Sequence, residues 1–233
     1  MNFKGQMIDL SQEIYTGMPV YPGHMKTVIF THASHEETMR TIGTGFSYHA
    51  SGLLMCDHGP THIDSVSHLS RDPNAPSVEE IPLNYCVTPA ICIDVSDVER
   101  QTQFDAARIK AELKRENLEI RPGDTVLFYT GHFERFYGTP EYATHQPGLT
   151  RDATEYIIDQ GAVNFGVDNT SPDMWLDKSY PCHTVCAERQ ITHIENLCNL
   201  DKLVGKRFTF IALPLRIRKG TGSPVRAIAI LDD

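Results

Sequence analysis

Residues 56–69 read CDHGPTHIDSVSHL, and no other stretch limits the local geometry of this chain so tightly. His58, His62, Asp64 and His68 stand at intervals of 4, 2 and 4. All three intervals are even, so on an extended strand the four side chains would share one face. On a helix they would point in two separate directions, and Gly59 and Pro60 disfavour a helix interior. A straight strand is not the whole answer either. At roughly 3.3 Å per residue it would hold His58 and His68 about 33 Å apart. The chain must therefore bend on both sides of the His62-Ile63-Asp64 step, and the Gly-Pro pair supplies one of the bends.

Eleven histidines occur in 233 residues, and three within this run need a cause. Neutral imidazole and carboxylate are ligands that Zn²⁺, Mn²⁺ and Fe²⁺ accept. H-x-x-x-H-x-D provides three of them and leaves positions open for water or substrate, the mark of a catalytic rather than a structural zinc site. The competing reading is a polar cluster satisfied by backbone hydrogen bonds, which must leave no buried polar atom unpaired.

The length suits one large domain, 1–233, able to bury a core without disulfide or metal staples. A net charge of −9 and the absence of a Lys/Arg run argue against nucleic acid or anionic membrane as a partner. The opening MNFKGQMIDL lacks an apolar leader region and no stretch nears 18 apolar residues, so a soluble, cytoplasmic protein is expected. Six cysteines without a C-x-x-C pair read as free thiols of a reducing compartment. Cys182, next to His183, is the one candidate for a thiolate nucleophile, but adjacent side chains in regular structure point apart.

Seven apolar, β-branched runs predict strands: 6–10, 26–32, 89–95, 124–130, 162–167, 207–213 and 225–231. RKGTGSP, between the last two, predicts a hairpin or loop return. Helices are predicted over 105–116 and over 150–160, the latter with Thr150 as N-cap and Gly161 as its stop. The result is a mixed α/β domain around substantial sheet. Other signatures fail: HEETM (35–39) lacks the second histidine of H-E-x-x-H, no G-x-S-x-G occurs, and neither GTGFSY nor GTGSPV has the third glycine of a dinucleotide loop.

HGPTHIDSVSH resembles the H-x-G-T-H-x-D-x-P-x-H motif of the metal-dependent cyclase-like hydrolases, the family of bacterial kynurenine formamidase and isatin hydrolase. IDLSQEIYTGMPVYPG (8–23), GDTVLFYTG (123–131), FGVDNTSPD (165–173), HTVCAERQITHIENLCNL (183–200) and PLRIRKGTGSPVRAIAIL (214–231) resemble further segments of that family, in the same order. The resemblance implies a swivelling β/β/α fold with a mixed central sheet, usually in homodimers or homotetramers. It implies that His58 and His62 bind a first divalent metal, zinc or manganese, and that Asp64 bridges toward a second. His183 would bind that second ion and Glu195 one or both, while His68 would carry protons and Tyr21 lie over the substrate ring. Pro60, Val66 and Leu69 depart from the motif but remove no donor atom.

Within the family, isatin hydrolase-like members bind one manganese and lack a carboxylate at the Glu195 position, so one or two ions per chain are expected. His132, His145 and His193 match no key position and receive no role. The function implied is hydrolysis of a C–N bond in a small amide, formamide, imide or cyclic amide. A non-catalytic metal- or ligand-binding module and a thiol hydrolase using Cys182 are the rivals.

Overall fold

The computed structural model describes residues 5–232. Its strands are β1 (Gly5–Asp9), β2 (Val28–Ala33), β3 (Ala50–Leu54), β4 (His62–Asp64), β5 (Val87–Asp94), β6 (Gln103–Phe104), β7 (Thr125–Tyr129), β8 (Gly148–Leu149), β9 (Asn164–Val167), β10 (Thr192–Glu195), β11 (Arg207–Ile211), β12 (Gly222–Pro224) and β13 (Ile228–Asp232). The helices are α1 (His35–Ile42), α2 (Val66–Leu69), α3 (Ala106–Glu116), α4 (His132–Phe136), α5 (Arg151–Asp159) and α6 (Pro181–Arg189). All seven predicted strands and both predicted helices are present, with ends displaced by a few residues.

Nine strands form one mixed sheet in the order β1-β13-β11-β5-β7-β9-β10-β4-β12. The run β5-β7-β9-β10 is parallel and the pairs outside it are antiparallel. Strands β5, β7 and β9 are mostly apolar because both faces are covered, whereas β10 carries His193 and Glu195. Successive residues divide between two cores by the period of the strand. Ile91, Ile93, Val126, Phe128 and Phe165 face α3 and α5 through Ile109, Leu113 and Ile157. Ala90, Cys92, Leu127, Ile63 and Ile194 face the opposite way, packing with Ile8, Leu10 and Phe210 inside the curl of the sheet. The curl brings its two ends together: Ser11 bridges to Leu197, and Gln12 donates its backbone N–H to Thr61 Oγ1 at 2.9 Å.

This alternation positions the polar residues. Ile63 and Ile194 are committed to the inner core, so His62, Asp64, His193 and Glu195 must all project from the other face, at the end of the sheet where α2 and α6 lie. The β4–β10 register places His193 opposite Asp64 and Glu195 opposite His62. A separate arm, β2–β3 with α1, carries exposed Phe30, Leu53 and Leu54.

Candidate metal centre

The bends required by the histidine spacing are both there. On the N-terminal side the chain turns at 56–59, where Gly59 N–H donates to Cys56 O at 3.0 Å, and this brings His58 back over β4. On the C-terminal side Ser65 starts α2, and one helical turn puts His68 Nε2 3.7 Å from Asp64 Oδ2. His62 and Asp64 remain same-face neighbours on β4, as the even spacing demands.

His183 arrives from α6, whose start is held by Asp173. That buried carboxylate accepts the backbone N–H of Cys182 at 2.7 Å and of His183 at 3.3 Å, and also the His183 Nδ1–H. His183 Nε2 is left facing Asp64 Oδ2 at 3.8 Å and Glu195 Oε1 at 3.7 Å. His193, fully buried against the Phe165 ring, points Nε2 at Asp64 Oδ2 (3.4 Å) and Glu195 Oε1 (3.3 Å). The donors thus form two groups that share Asp64: His58, His62 and Asp64 in one, and Asp64, His183, His193 and Glu195 in the other. In each, the candidate atoms lie within 4.8 Å of one another.

His193 is the residue that sequence reasoning passed over. The signal was present, since H-x-E at 193–195 has the same two-residue step as H-x-D at 62–64, and on paired strands such steps stack face to face. Asp173 carries no signal of its own in the sequence, because its partner His183 stands ten residues away across a loop. Cys182 is not a nucleophile aimed at the site: it is fully buried, receives the Thr154 hydroxyl at 3.2 Å, and burial holds its thiol well above the usual range. All six cysteines are free.

The donors suit a divalent cation. Two carboxylates and four imidazoles, all but His183 nearly sealed from solvent, are hard-to-borderline ligands of the kind zinc and manganese take. His62 Nδ1 is satisfied by Pro60 O at 2.7 Å, yet His62 Nε2 and Asp64 Oδ2 are buried with no hydrogen-bond partner. A cluster held only by hydrogen bonds would not leave those atoms unpaired. Burial opposes charge on His62, but Asp64 and Glu195 outweigh it and leave its pKa raised; His193 is raised well above its ordinary value against the same opposition. The carboxylates draw positive charge into the site, a demand that a divalent ion meets.

His68 belongs to neither donor group. Its ring packs on His58 with centroids 4.0 Å apart and is one-third exposed, opening on a cavity of about 290 Å³. Burial pushes its pKa down to about 4, with Asp64 pulling the other way and His58 and His183 adding to the fall. It is therefore neutral at pH 7 and has a nitrogen lone pair to offer. Tyr21 lines the same cavity, tilted against Trp175 at 5.6 Å and with its hydroxyl 3.3 Å from that of Tyr180. The sequence Tyr21-Pro22-Gly23-His24 makes a β-turn, closed by His24 N–H to Tyr21 O at 3.0 Å with Gly23 at φ +98°. Proline then glycine suits such a turn, which brings His24 into the cavity wall beside Tyr21.

The chain is similar to several known proteins. The Cyclase family matches residues 8–174. A kynurenine formamidase of Bacillus mycoides is 30% identical over 223 residues, 96% of either chain, so the likeness extends past His183 and Glu195. An isatin hydrolase of Roseibium aggregatum is 29% identical over 194 residues, 77% of this chain and 73% of that one. Among solved structures, isatin hydrolase A from Labrenzia aggregata bound to benzyl benzoate matches with a TM-score of 0.86 at 25% identity, over 98% of this chain and 94% of that one.

Proposed function

The chain belongs to the Cyclase family, and from that premise we propose that it is a metal-dependent hydrolase cleaving the C–N bond of a small amide, in the manner of kynurenine formamidase or isatin hydrolase. The observation that carries the reading is the pair of donor groups sharing Asp64, with His62 Nε2 and Asp64 Oδ2 buried and without a hydrogen-bond partner.

In this reading His58, His62 and Asp64 hold one ion, and Asp64, His183, His193 and Glu195 hold a second. Zinc and manganese both suit these donors. Bound there, a divalent ion would polarise the amide carbonyl and lower the pKa of water from about 15.7 to about 7. The remaining work falls to side chains of this chain. His68, neutral and facing the cavity, takes a proton from the attacking water and returns it to the leaving nitrogen. The C–N bond breaks, a C–O bond forms, and the products are an acid and an amine. General acid–base help of this kind contributes about 10²–10⁴-fold. Tyr21 supplies one aromatic wall for the acyl or ring portion of the substrate.

The presence of Glu195 in the second donor group supports two ions over one. The exposed apolar side chains of the β2–β3 arm support a homodimer or homotetramer, since an isolated two-stranded ribbon is marginal in water. Six free thiols suit the cytoplasm. No helix among the described residues is long and apolar enough to cross a membrane.

The test is turnover of a panel of arylformamides and cyclic amides before and after EDTA, with Zn²⁺ or Mn²⁺ added back. Loss and recovery of activity is the expected result. Activity that survives EDTA but is abolished by iodoacetamide would replace this reading with a thiol hydrolase. Bound metal without turnover of any amide would leave a binding module.

A further inference from the structure

The run Gly220-Thr221-Gly222 lacks the pattern of a dinucleotide loop, yet every residue in it is spatially constrained. A Cβ on Gly222 would stand 2.6 Å from His58 Cε1, 2.9 Å from Nδ1 and 3.0 Å from Nε2, so the His58 ring lies directly over this glycine. A Cβ on Gly220 would meet Val78 Cγ1 at 2.7 Å. The segment is pinned from both sides: Val78 N–H donates to Gly220 O at 2.9 Å and Ser65 N–H to Thr221 O at 3.0 Å. Between the glycines, Thr221 Oγ1 lies 3.0 Å from His58 Nε2 and donates to Asp57 Oδ2 at 2.7 Å. Asp57 is held in turn by the Gly222 N–H at 3.3 Å.

Proton counting gives this chain a direction. A hydroxyl has one proton, and Thr221 gives it to a carboxylate, which only accepts. The contact with His58 must then run the other way, Nε2–H to Thr221 Oγ1. His58 Nδ1 is the nitrogen turned to the donor-group side, 2.7 Å from Asp64 Oδ1, a carboxylate oxygen that accepts its hydrogen bond until an ion takes the place of that proton. The other two anchored histidines are arranged oppositely, with Nδ1–H donating to Pro60 O from His62 and to Asp173 from His183. We propose that Thr221, braced by Asp57 and flanked by glycines that clear the space, is a positioning residue that selects the Nε2–H tautomer of His58 and presents Nδ1 to the ion. The proposal rests on His58 being a metal ligand, as in the reading above.

Partners of this kind to a ligating histidine typically contribute 10–100-fold to metal affinity. The experiment is competition for Zn²⁺ against a chromophoric chelator, with imidazole ¹⁵N NMR of the Zn²⁺-loaded protein. The chains are the wild type, T221V, T221S, D57N and G222A. Expected are an Nε2–H tautomer for His58 in the wild type and a roughly 10–100-fold loss of affinity for one ion in T221V and G222A. T221S, which keeps the hydroxyl, should bind like the wild type. An Nδ1–H tautomer in the wild type overturns the proposal even if T221V does not fold. So does wild-type Zn²⁺ affinity in a folded T221V. A wild type that binds no Zn²⁺ at all would instead defeat the metal-dependent function on which the proposal stands.

Discussion

His58 and His68 lie ring against ring, yet their surroundings assign them different work. His58 is anchored at both nitrogens and almost fully buried; His68 has no hydrogen-bonded anchor and opens on the cavity. Replacing His68 with alanine should therefore lower turnover by about 10²–10⁴-fold while bound metal stays near the wild-type amount. Metal analysis beside kinetics checks this, and an emptied site would show that His68 is a ligand. Asp173 acts at the same scale but on the other donor group. D173N should weaken metal binding there by about 10–100-fold, because it removes the carboxylate that keeps Nδ1–H on His183 and Nε2 toward the ion. Chelator competition reads that loss directly. The donors His58, His62 and Asp64 were legible from residue type and spacing, and the pair His183 and Glu195 only through the resemblance of 183–200 to the family. Asp173 and Thr221 were not, since their partners are near only after α6 and β12 have docked, and the H-x-E step of His193 gains its meaning only once β10 pairs with β4.

At the scale of elements, the short strand β8 supports the site from behind. A Cβ on Gly148 would come 2.0 Å from Met174 N and 2.6 Å from Asp173 C, so this glycine lets β8 press on the backbone that carries Asp173. G148A must push that backbone away. The expected outcome is a loss of about 1–3 kcal/mol in stability together with weaker metal binding at the His183 group, measured by urea unfolding and chelator competition. The predicted helices over 105–116 and 150–160 match α3 and α5 because their local signals agree. Asp105 caps the backbone N–H of Arg108, and Thr150 that of Ala153. Helix α6 escaped prediction for the opposite reason. It has no side-chain cap of its own and begins after Tyr180 in a left-handed conformation, so its start depends on Asp173 from another segment.

At the scale of the whole molecule, stability should depend on pH through the buried Asp168, which belongs to neither donor group. Burial raises its pKa from the usual range to about 7, although Thr130 donates to it through both backbone N–H and hydroxyl. A carboxyl raised in the folded state stabilises the fold when protonated, and that contribution is lost as pH rises from about 4 through about 7. Denaturant midpoints of the wild type should fall across this window relative to D168N. Metal should act on the whole fold as well. An ion that binds only the native chain, supplied at 100 times its Kd, adds about 2.7 kcal/mol to unfolding, so EDTA should lower the melting temperature reversibly.

Residue types and spacing alone determined the donor chemistry at His58, His62 and Asp64, the need for bends around them, and an α/β chain built on sheet. These follow from short-range geometry: the two-residue period of a strand, the stiffness of proline, and the proton and metal affinities of imidazole and carboxylate. Tertiary structure decided the rest. The curl of the sheet commits Ile63 and Ile194 to one core, which turns His193 and Glu195 onto the face of His62 and Asp64. The docking of β12 at the edge then seats His58 over Gly222. Distances between segments more than a hundred residues apart depend on how two cores pack on opposite faces of one sheet, and no local pattern encodes them.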